Sequence, residues 1–388
     1  MTVAARFGLI FALFYTGVGS FYTYLALYLK DIGLSGTQIG ILLAVFPLAS
    51  FLTQPLWGFI SDLYQIRRGI LAITCFALGL VSLLFGLSDE YGWLLGCTIG
   101  LAILRSPIGP LSDALALEYL MGQNRRNDYG RLRLWGSVGF AVASMATGAF
   151  IIGGDLRLLL YLYIVTTVVM GLVALTLPAG HSTARMSWAD GVAVLGANPT
   201  ILPWLAGVAL IGATLGIVNS YQIIYLDDIN APGWVSGLAF AIAGLLEAGL
   251  MGLAAPLIRR WGLRPIFLSG IALMVPRWML YTVIVDPILV LPTQVLHSIG
   301  MLSLLVAGVL LIDQQLGAQW RATGQTLYQA ALHGLGSAIG LLAAGVIYDQ
   351  AGIVSVWWAC VVAGTLGVIV LAWATQRPAA QLVETRGV

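Results

Sequence analysis

Charged residues are scarce in this sequence. Asp, Glu, Lys and Arg make up 9% of its 388 residues, and 60% are hydrophobic, whereas a soluble domain is about 25% charged and about 45–50% apolar. A water-soluble fold of this size would need more charge to cover its surface, so a cytosolic enzyme is excluded first. The net charge is only +2 and the basic residues form no single patch, so we expect no nucleic-acid partner.

Cysteine is also rare, and the usual catalytic motifs are missing. Cys75, Cys97 and Cys360 each lie in an apolar run without the spacing of metal ligands, so we interpret them as packing residues. The sequence has no Walker phosphate loop, HExxH motif or GxSxG motif, which argues against ATP-driven pumping, a metal site and a nucleophilic serine. We therefore expect no enzyme activity and no cofactor.

The sequence does contain long apolar runs. A bilayer-spanning helix needs about 20 mostly apolar residues, and twelve runs meet that need. Their approximate limits are 7–29, 38–61, 69–88, 91–117, 128–153, 157–178, 200–226, 234–258, 265–285, 287–315, 322–347 and 353–375. The predicted fold is an all-α integral membrane protein with twelve transmembrane helices in two pseudo-symmetric six-helix bundles. The bundles would cover 1–178 and 200–388, joined by a cytoplasmic linker at 179–199. The sequences of the two halves repeat weakly, and such an internal repeat is typical of transporters.

The basic residues predict the orientation in the membrane. With a cytoplasmic N-terminus, thirteen arginines fall in the inside loops and tails, against Lys30 and Arg157 outside. Such a bias marks the cytoplasmic side. We expect a multi-pass protein of the bacterial inner membrane with both termini in the cytoplasm.

Ionisable residues within the apolar runs of the second half are the first candidates for function. Such a residue costs about 2.5–3.5 kcal/mol at mid-membrane on insertion scales, and it survives when it pairs, faces water or is functional. Glu247, Arg277 and His297 are predicted at similar depth, and Gln294 lies on the same helix face as His297. The alternative is that Glu247 and Arg277 form a structural ion pair and that His297 is a packing residue.

The first half has a similar set. Asp113 and Arg133 fall in neighbouring antiparallel runs toward the cytoplasmic side, where they can pair, either for function or to lock two helices. Arg105 lies near the middle of the fourth run. Pro107 and Pro110 should kink that helix and favour a water-lined wall.

Three further residues are candidates for contact with a solute. Trp135 and Trp278 each neighbour a buried arginine and could stack on a solute ring or on the guanidinium. Asn219, with Tyr221 and Gln222, could line the cavity from the seventh run.

A third group lies at the predicted inner membrane face. Asp62 with Arg67 and Arg68 could form a charge clasp between helix ends that biases the conformational equilibrium. The alternative is that the two arginines only mark the cytoplasmic side of the membrane, which does not explain Asp62.

These features together resemble the major facilitator superfamily over nearly the whole chain. Within it, segments 106–115 and 128–137, Arg277-Trp278 and Gln294-Val295-Leu296-His297 are most similar to the branch of lactose permease and the bacterial phenylpropionate transporters. The resemblance implies solute–proton symport by alternating access, driven by a proton gradient. It also implies that Asp113 and Arg133 hold substrate, and that Arg277 and His297 belong to a proton and substrate network.

The sequence departs from the relatives at three informative positions. Gly300 stands where the permease has a carboxylate, and Phe140 stands where it has a sugar-stacking tryptophan. Leu305 stands where the phenylpropionate branch has a second histidine. Lactose is therefore not the expected substrate, and the proton route is expected to use Glu247.

The residues favour a carboxylate, aromatic or otherwise, as the small-molecule substrate. Three embedded arginines face only Asp113 and Glu247, and arginine suits bidentate carboxylate binding. Alternatives within the same fold are a proton-coupled sugar or nucleoside carrier and a drug or metabolite exporter. A receptor would need a signalling domain, for which the 13 residues after the last run leave no room. The expected partners are the solute and the lipid bilayer, with a monomeric protein.

Overall fold

The computed structural model describes residues 1–125, 128–178, 201–315 and 321–376, apart from the side chains of Asp62, Gln315, Arg321 and Ala322. The predicted linker at 179–199 lies outside the described residues. The predicted boundaries of the two bundles therefore stay predictions.

The described residues are almost entirely helical. In the first half the long helices are α1 (Val3–Asp31), α2 (Gly36–Tyr64), α3 (Arg67–Phe85), α4 (Tyr91–Met121), α5 (Tyr129–Phe150) and α6 (Leu158–Leu175). In the second half they are α7 (Ile201–Asp228), α8 (Gly233–Met251), α9 (Leu263–Tyr281), α10 (Pro287–Gln314) and a continuous segment, Thr323–Ala374.

These segments account for the twelve predicted spans. Ten segments of the described chain are long and apolar enough to cross a membrane. The last one contains Gly352 at φ 75°, a conformation that glycine adopts without strain, and it comprises α11 before Gly352 and α12 after it. The remaining span is α5, which is 22 residues long and is made less apolar by Arg131 and Arg133.

Several helices are interrupted where the sequence requires it. α4 breaks between Arg105 and Ile108, as predicted from Pro107, which cannot donate a backbone hydrogen bond. The eighth run, predicted to continue to 258, instead ends at Met251 and is followed by a short helix, Ala254–Trp261. That prediction was too long, because the short helix carries Arg259 and Arg260 and is not apolar.

Wide π-helical turns interrupt three of the long helices. They lie at Val18–Tyr22 in α1, Ser303–Gly308 in α10 and Ala330–Gly336 in α11. Such turns are rare and often mark functional sites.

The halves meet mainly through two helix pairs, α2 with α11 and α5 with α8, and the end of α1 also contacts α7. A methyl group on Gly40 of α2 would lie 2.5 Å from the carbonyl oxygen of Leu341 in α11, and one on Gly148 of α5 would overlap the backbone of Gly233 in α8. The backbones are thus in direct contact, which only glycine permits. Both contacts lie at the end of the bundle that carries Lys30, called here the Lys30 face.

Polar contacts also close the Lys30 face. The Lys30 ammonium lies 2.7 Å from Asp227 and 2.5 Å from Asp228 of the second half. The Asp349 carboxylate accepts hydrogen bonds from the backbone N–H groups of Gly36 at 2.6 Å and Thr37 at 2.7 Å. Asp349 therefore caps the N-terminus of α2 from the other half of the molecule.

The opposite end, called the Arg67 face, is open between the halves. In α2, Ile39 and Leu42 are fully buried, whereas Phe59 is 64% and Leu63 59% exposed. α8 changes in the same way, from buried residues near Val235 to exposed Leu245. Two of the helices that bridge the halves, α2 and α8, thus lose their packing partners toward the Arg67 face. This leaves a chamber that opens to that face.

Candidate functional site

Arg133 on α5 is held by α1. Its guanidinium donates a hydrogen bond to the Tyr15 hydroxyl and lies 4.1 Å from the centre of the Tyr15 ring. Gly136, one turn further along α5, makes room for this pairing, because a methyl group there would lie 2.8 Å from both Tyr15 and Arg133. The glycines of the fifth run thus allow α1 and α5 to approach closely around the arginine.

Asp113 lies near Arg133 but forms no ion pair with it within 4 Å, although both side chains are described. The prediction of a direct pair is therefore wrong for this conformation. Asp113 instead accepts a 2.7 Å hydrogen bond from the Tyr129 hydroxyl, while Arg133 is occupied by Tyr15. The charge of Arg133 still acts on Asp113.

Glu247 faces the first half rather than Arg277. Within the described residues its carboxylate has neither a hydrogen bond nor an ion pair, and the charge that acts on it is that of Arg133. The alternative of a structural Glu247–Arg277 ion pair is thus not present, because α8 packs against α5 while Arg277 points into the second half.

The Tyr15 hydroxyl contacts Arg133 and lies within electrostatic range of the other charged groups of this region. The charges that act on it are those of Arg133, Asp113, Arg105 and Glu247, so one group from the second half joins three from the first. Tyr15 was not among the predicted site residues. A tyrosine at mid-depth in the first apolar run was the available signal.

Arg277 is buried in a separate polar cluster among α7, α9 and α10. Its guanidinium donates to Gln222 at 2.8 Å and Gln294 at 3.1 Å, and lies 3.2 Å from Nδ1 of His297. A guanidinium has no lone pair, so Nδ1 accepts and the His297 ring is neutral here. The predicted grouping of Arg277, Gln294 and His297 is present in the structure.

Two buried donors in this cluster have no acceptor among the described residues. They are Nε of Arg277 and Nε2 of Gln222. The partners of Arg277 are neutral, so its charge has no carboxylate counter-ion there. A buried cation with free donors can bind an anionic or hydroxyl-rich group.

The two clusters are adjacent along α8 and α10. Ser298, next to His297, donates a 3.2 Å hydrogen bond to the carbonyl of Ala243 on α8. Glu247 lies one helical turn beyond Ala243. Glu247 is thus one turn along α8 from the contact with α10, and the charge of Arg133 acts on it from α5.

Arg105 lies inside the first half. It stacks over Tyr22 at 4.3 Å and over Phe14 at 5.6 Å, and it lines a cavity of about 10 Å³ with Tyr163 and Thr167. That volume holds about one water molecule. In this conformation Arg105 has no space for a solute beside it.

The other predicted contacts divide into exposed and enclosed positions. Trp135 is 56% exposed, with one edge against Gly8 of α1, and Asn219 is exposed on α7. Trp278 is 1% exposed and packs against Gly364 of α12. Trp278 is therefore a core residue in this conformation and is closed to a solute.

The predicted clasp at the Arg67 face is described only in part. Arg67 lies 3.5 Å from Glu118, and Arg68 donates to the carbonyl of Leu177 at 3.1 Å. The side chain of Asp62 lies outside the described residues, so the clasp stays a prediction.

Comparison with known proteins agrees with this architecture. The MFS_1 like family matches residues 5–359. The chain is 29% identical to the maltose permease of Geobacillus stearothermophilus over 375 residues, covering 94% of each protein. It is 27% identical to the probable 3-phenylpropionic acid transporter of Escherichia coli (strain K12), covering 87% of this chain and 89% of that one.

The structure of the nucleoside transporter NupG has the same fold. It superposes with a TM-score of 0.85 at 18% identity, over 97% of this chain and 99% of that one. At that identity the likeness concerns the fold alone. The chain belongs to the MFS_1 like family, and it is a multi-pass secondary transporter of the major facilitator superfamily rather than an enzyme.

Proposed function

We propose that this protein is a proton-coupled symporter that moves a small organic carboxylate by alternating access. Its partners would be the solute and the bilayer, its energy source the proton gradient, and its form a monomer in the bacterial inner membrane with both termini in the cytoplasm. The arginines at the Arg67 face support that orientation.

The observation that carries the proton coupling is the position of Glu247. Its carboxylate lies in the membrane without a hydrogen-bond partner among the described residues and faces Arg133 across the halves. When ionised, Glu247 attracts Arg133 and holds α8 against α5. Protonation removes this attraction, so proton binding and the relative position of the halves are linked.

The carboxylate preference depends on the Arg277 cluster. A buried guanidinium whose partners are Gln222, Gln294 and His297 retains a full positive charge in a region of low dielectric constant. A solute carboxylate would supply the missing counter-charge. In the present conformation the cluster is enclosed, so the solute would reach it only after the halves move.

A neutral sugar or nucleoside is the second candidate. The amides of Gln222 and Gln294, with the exposed Asn219, suit a solute that carries several hydroxyl groups. The similarity to a protein named as a maltose permease also favours a sugar. An exporter of the same fold would have the same chamber and differ in the direction of net flux.

The function can be tested with purified protein. A thermal-shift screen against carboxylates, sugars and nucleosides identifies the solute class, and hits are then measured for uptake into proteoliposomes with and without an imposed pH gradient. The proposal predicts stabilisation by a carboxylate and accumulation only when the interior is alkaline. Stabilisation by sugars or nucleosides alone, or accumulation without a gradient, would contradict it.

A further inference from the structure

His333 on α11 is exposed, although it lies at mid-membrane depth. It belongs to the π-helical turn Ala330–Gly336, and its ring has no hydrogen bond with the described residues. A polar side chain at this depth survives when it pairs or faces water. From its sequence His333 is interpreted as a packing residue, and neither the Arg133 group nor the Arg277 cluster contains it.

The exposed residues of α11 form two stripes. One is apolar and consists of Leu335, Ile339, Leu342 and Val346, which are 40–62% exposed. The other is polar and consists of Thr326, Gln329 and His333, all exposed. Both stripes follow the three- and four-residue spacing of a helix face.

The two stripes point in different directions. His333 and Leu335 are two residues apart, which places them on roughly opposite sides of the helix. The apolar stripe is the surface that a transmembrane helix presents to lipid. The polar stripe therefore faces the water-filled chamber between the halves.

The neighbours of His333 agree with this assignment. A methyl group on the next residue, Gly334, would lie 3.3 Å from Phe51 of α2. Phe51 stands where α2 begins to lose its packing, just before the exposed Leu52 and Leu56. The polar stripe thus begins beside the point where the halves separate, and it continues toward the Arg67 face.

We propose that Thr326, Gln329 and His333 form a recognition surface for the solute on the wall of the chamber, with His333 as its innermost hydrogen-bonding residue. This inference rests on the proposed transport function. A threonine hydroxyl, a glutamine amide and an imidazole can each donate a hydrogen bond, so the surface suits a hydroxyl or carboxylate oxygen of the solute. It would bind the solute in the conformation open to the Arg67 face, before or after contact with the Arg277 cluster.

The first experiment tests access to water and needs no solute. His333→Cys and Leu335→Cys are each treated with a small, water-soluble and membrane-impermeant thiol reagent in proteoliposomes that expose the Arg67 face. The native Cys75, Cys97 and Cys360 are buried and provide the unreacted background. We expect the 333 variant to react and the 335 variant to resist; equal reaction or none at 333 would overturn the proposal.

The second experiment tests recognition with the best carboxylate from the thermal-shift screen. His333→Ala should raise the KM for uptake about fivefold to tenfold, the effect of one lost hydrogen bond, with an unchanged maximal rate. His333→Gln should restore part of the affinity. An unchanged KM in a folded His333→Ala protein, or an equal rise in Leu335→Ala, would overturn the proposal.

Failure of this inference is distinguishable from failure of the proposed function. The solute should protect the 333 thiol from the reagent whether or not transport is coupled to protons. Protection without proton coupling would overturn only the symport proposal. Coupled transport without protection would overturn only the recognition surface.

Discussion

The carboxylate of Asp349 lies 2.6 Å from the backbone nitrogen of Gly36, a contact between residues at opposite ends of the sequence. Asp349 lies near the end of α11 in the second half, and Gly36 begins α2 in the first. The bond therefore exists only while the halves are closed at the Lys30 face. The same carboxylate accepts from the Thr37 hydroxyl at 2.6 Å, which makes it a latch for the conformation open to the Arg67 face.

Replacing Asp349 with Ala should weaken the latch. Loss of a helix cap costs about 1 kcal/mol, so the ratio of the two conformations should shift about fivefold toward opening at the Lys30 face. Distances between spin labels on the loops that follow α1 and α7 would measure the shift.

Asp286→Ala is the matched control for that experiment. Asp286 also caps a helix at the Lys30 face, through Ile288, but within one half. A shift of equal size in both variants would contradict the latch.

Gly148→Leu should prevent closure of the Lys30 face. The added side chain would overlap Gly233 and lie about 2.5 Å from the backbone nitrogen of Gly237, where α5 meets α8. We expect that transport is lost and that the chamber becomes accessible from the Lys30 face. Thermal stability should be preserved. Gly96→Leu should leave transport intact, because a Cβ atom there would meet no atom of another described helix within 4 Å; normal transport by Gly148→Leu would show that the contact is dispensable.

Tyr15→Phe should weaken transport through Arg133. The variant keeps the ring that stacks on the guanidinium but removes the hydroxyl that fixes its direction toward Asp113 and Glu247. One lost hydrogen bond to a charged group costs about 1.5–3 kcal/mol, so we expect at least a tenfold fall in the initial rate of uphill uptake. Tyr22→Phe loses only the 3.0 Å hydrogen bond to Tyr163, so its initial rate of uphill uptake should fall much less.

Arg105→Ala tests whether recognition of the solute needs the charge of Arg105 in another conformation of the transporter. A carrier of carboxylates that needs the charge of Arg105 should lose uptake, whereas a carrier of neutral solutes should still transport. The measurement is the initial rate for the solute from the thermal-shift screen. Full uptake of a carboxylate by this variant would remove Arg105 from the predicted site.

Much of the fold could be predicted from the sequence. Membrane helices are set by local hydrophobicity, so the twelve spans and the break at Pro107 follow from the residues themselves. The end of α8 was misplaced because a short amphipathic helix follows it directly. The depth of each residue in the membrane could also be predicted, because it follows from the position of the residue along its helix.

The direction in which each side chain points around its helix could not be predicted from the sequence. Glu247 and Arg277 share a depth, yet Glu247 faces α5 and Arg277 faces α7 and α10. The Asp349 latch was missed for a related reason, since it joins segments 313 residues apart and depends on how the halves meet. Such contacts follow from packing rather than from local pattern.

The most direct test of the account is the transport cycle of Glu247→Gln. Glutamine has nearly the shape of protonated glutamate but cannot release a proton, so it separates movement of the halves from proton coupling. Wild-type and variant proteins are compared in proteoliposomes for uphill uptake driven by a pH gradient and for exchange of internal against external solute. We predict that the variant loses uphill uptake and keeps exchange; uphill uptake that survives the substitution would contradict proton coupling through Glu247.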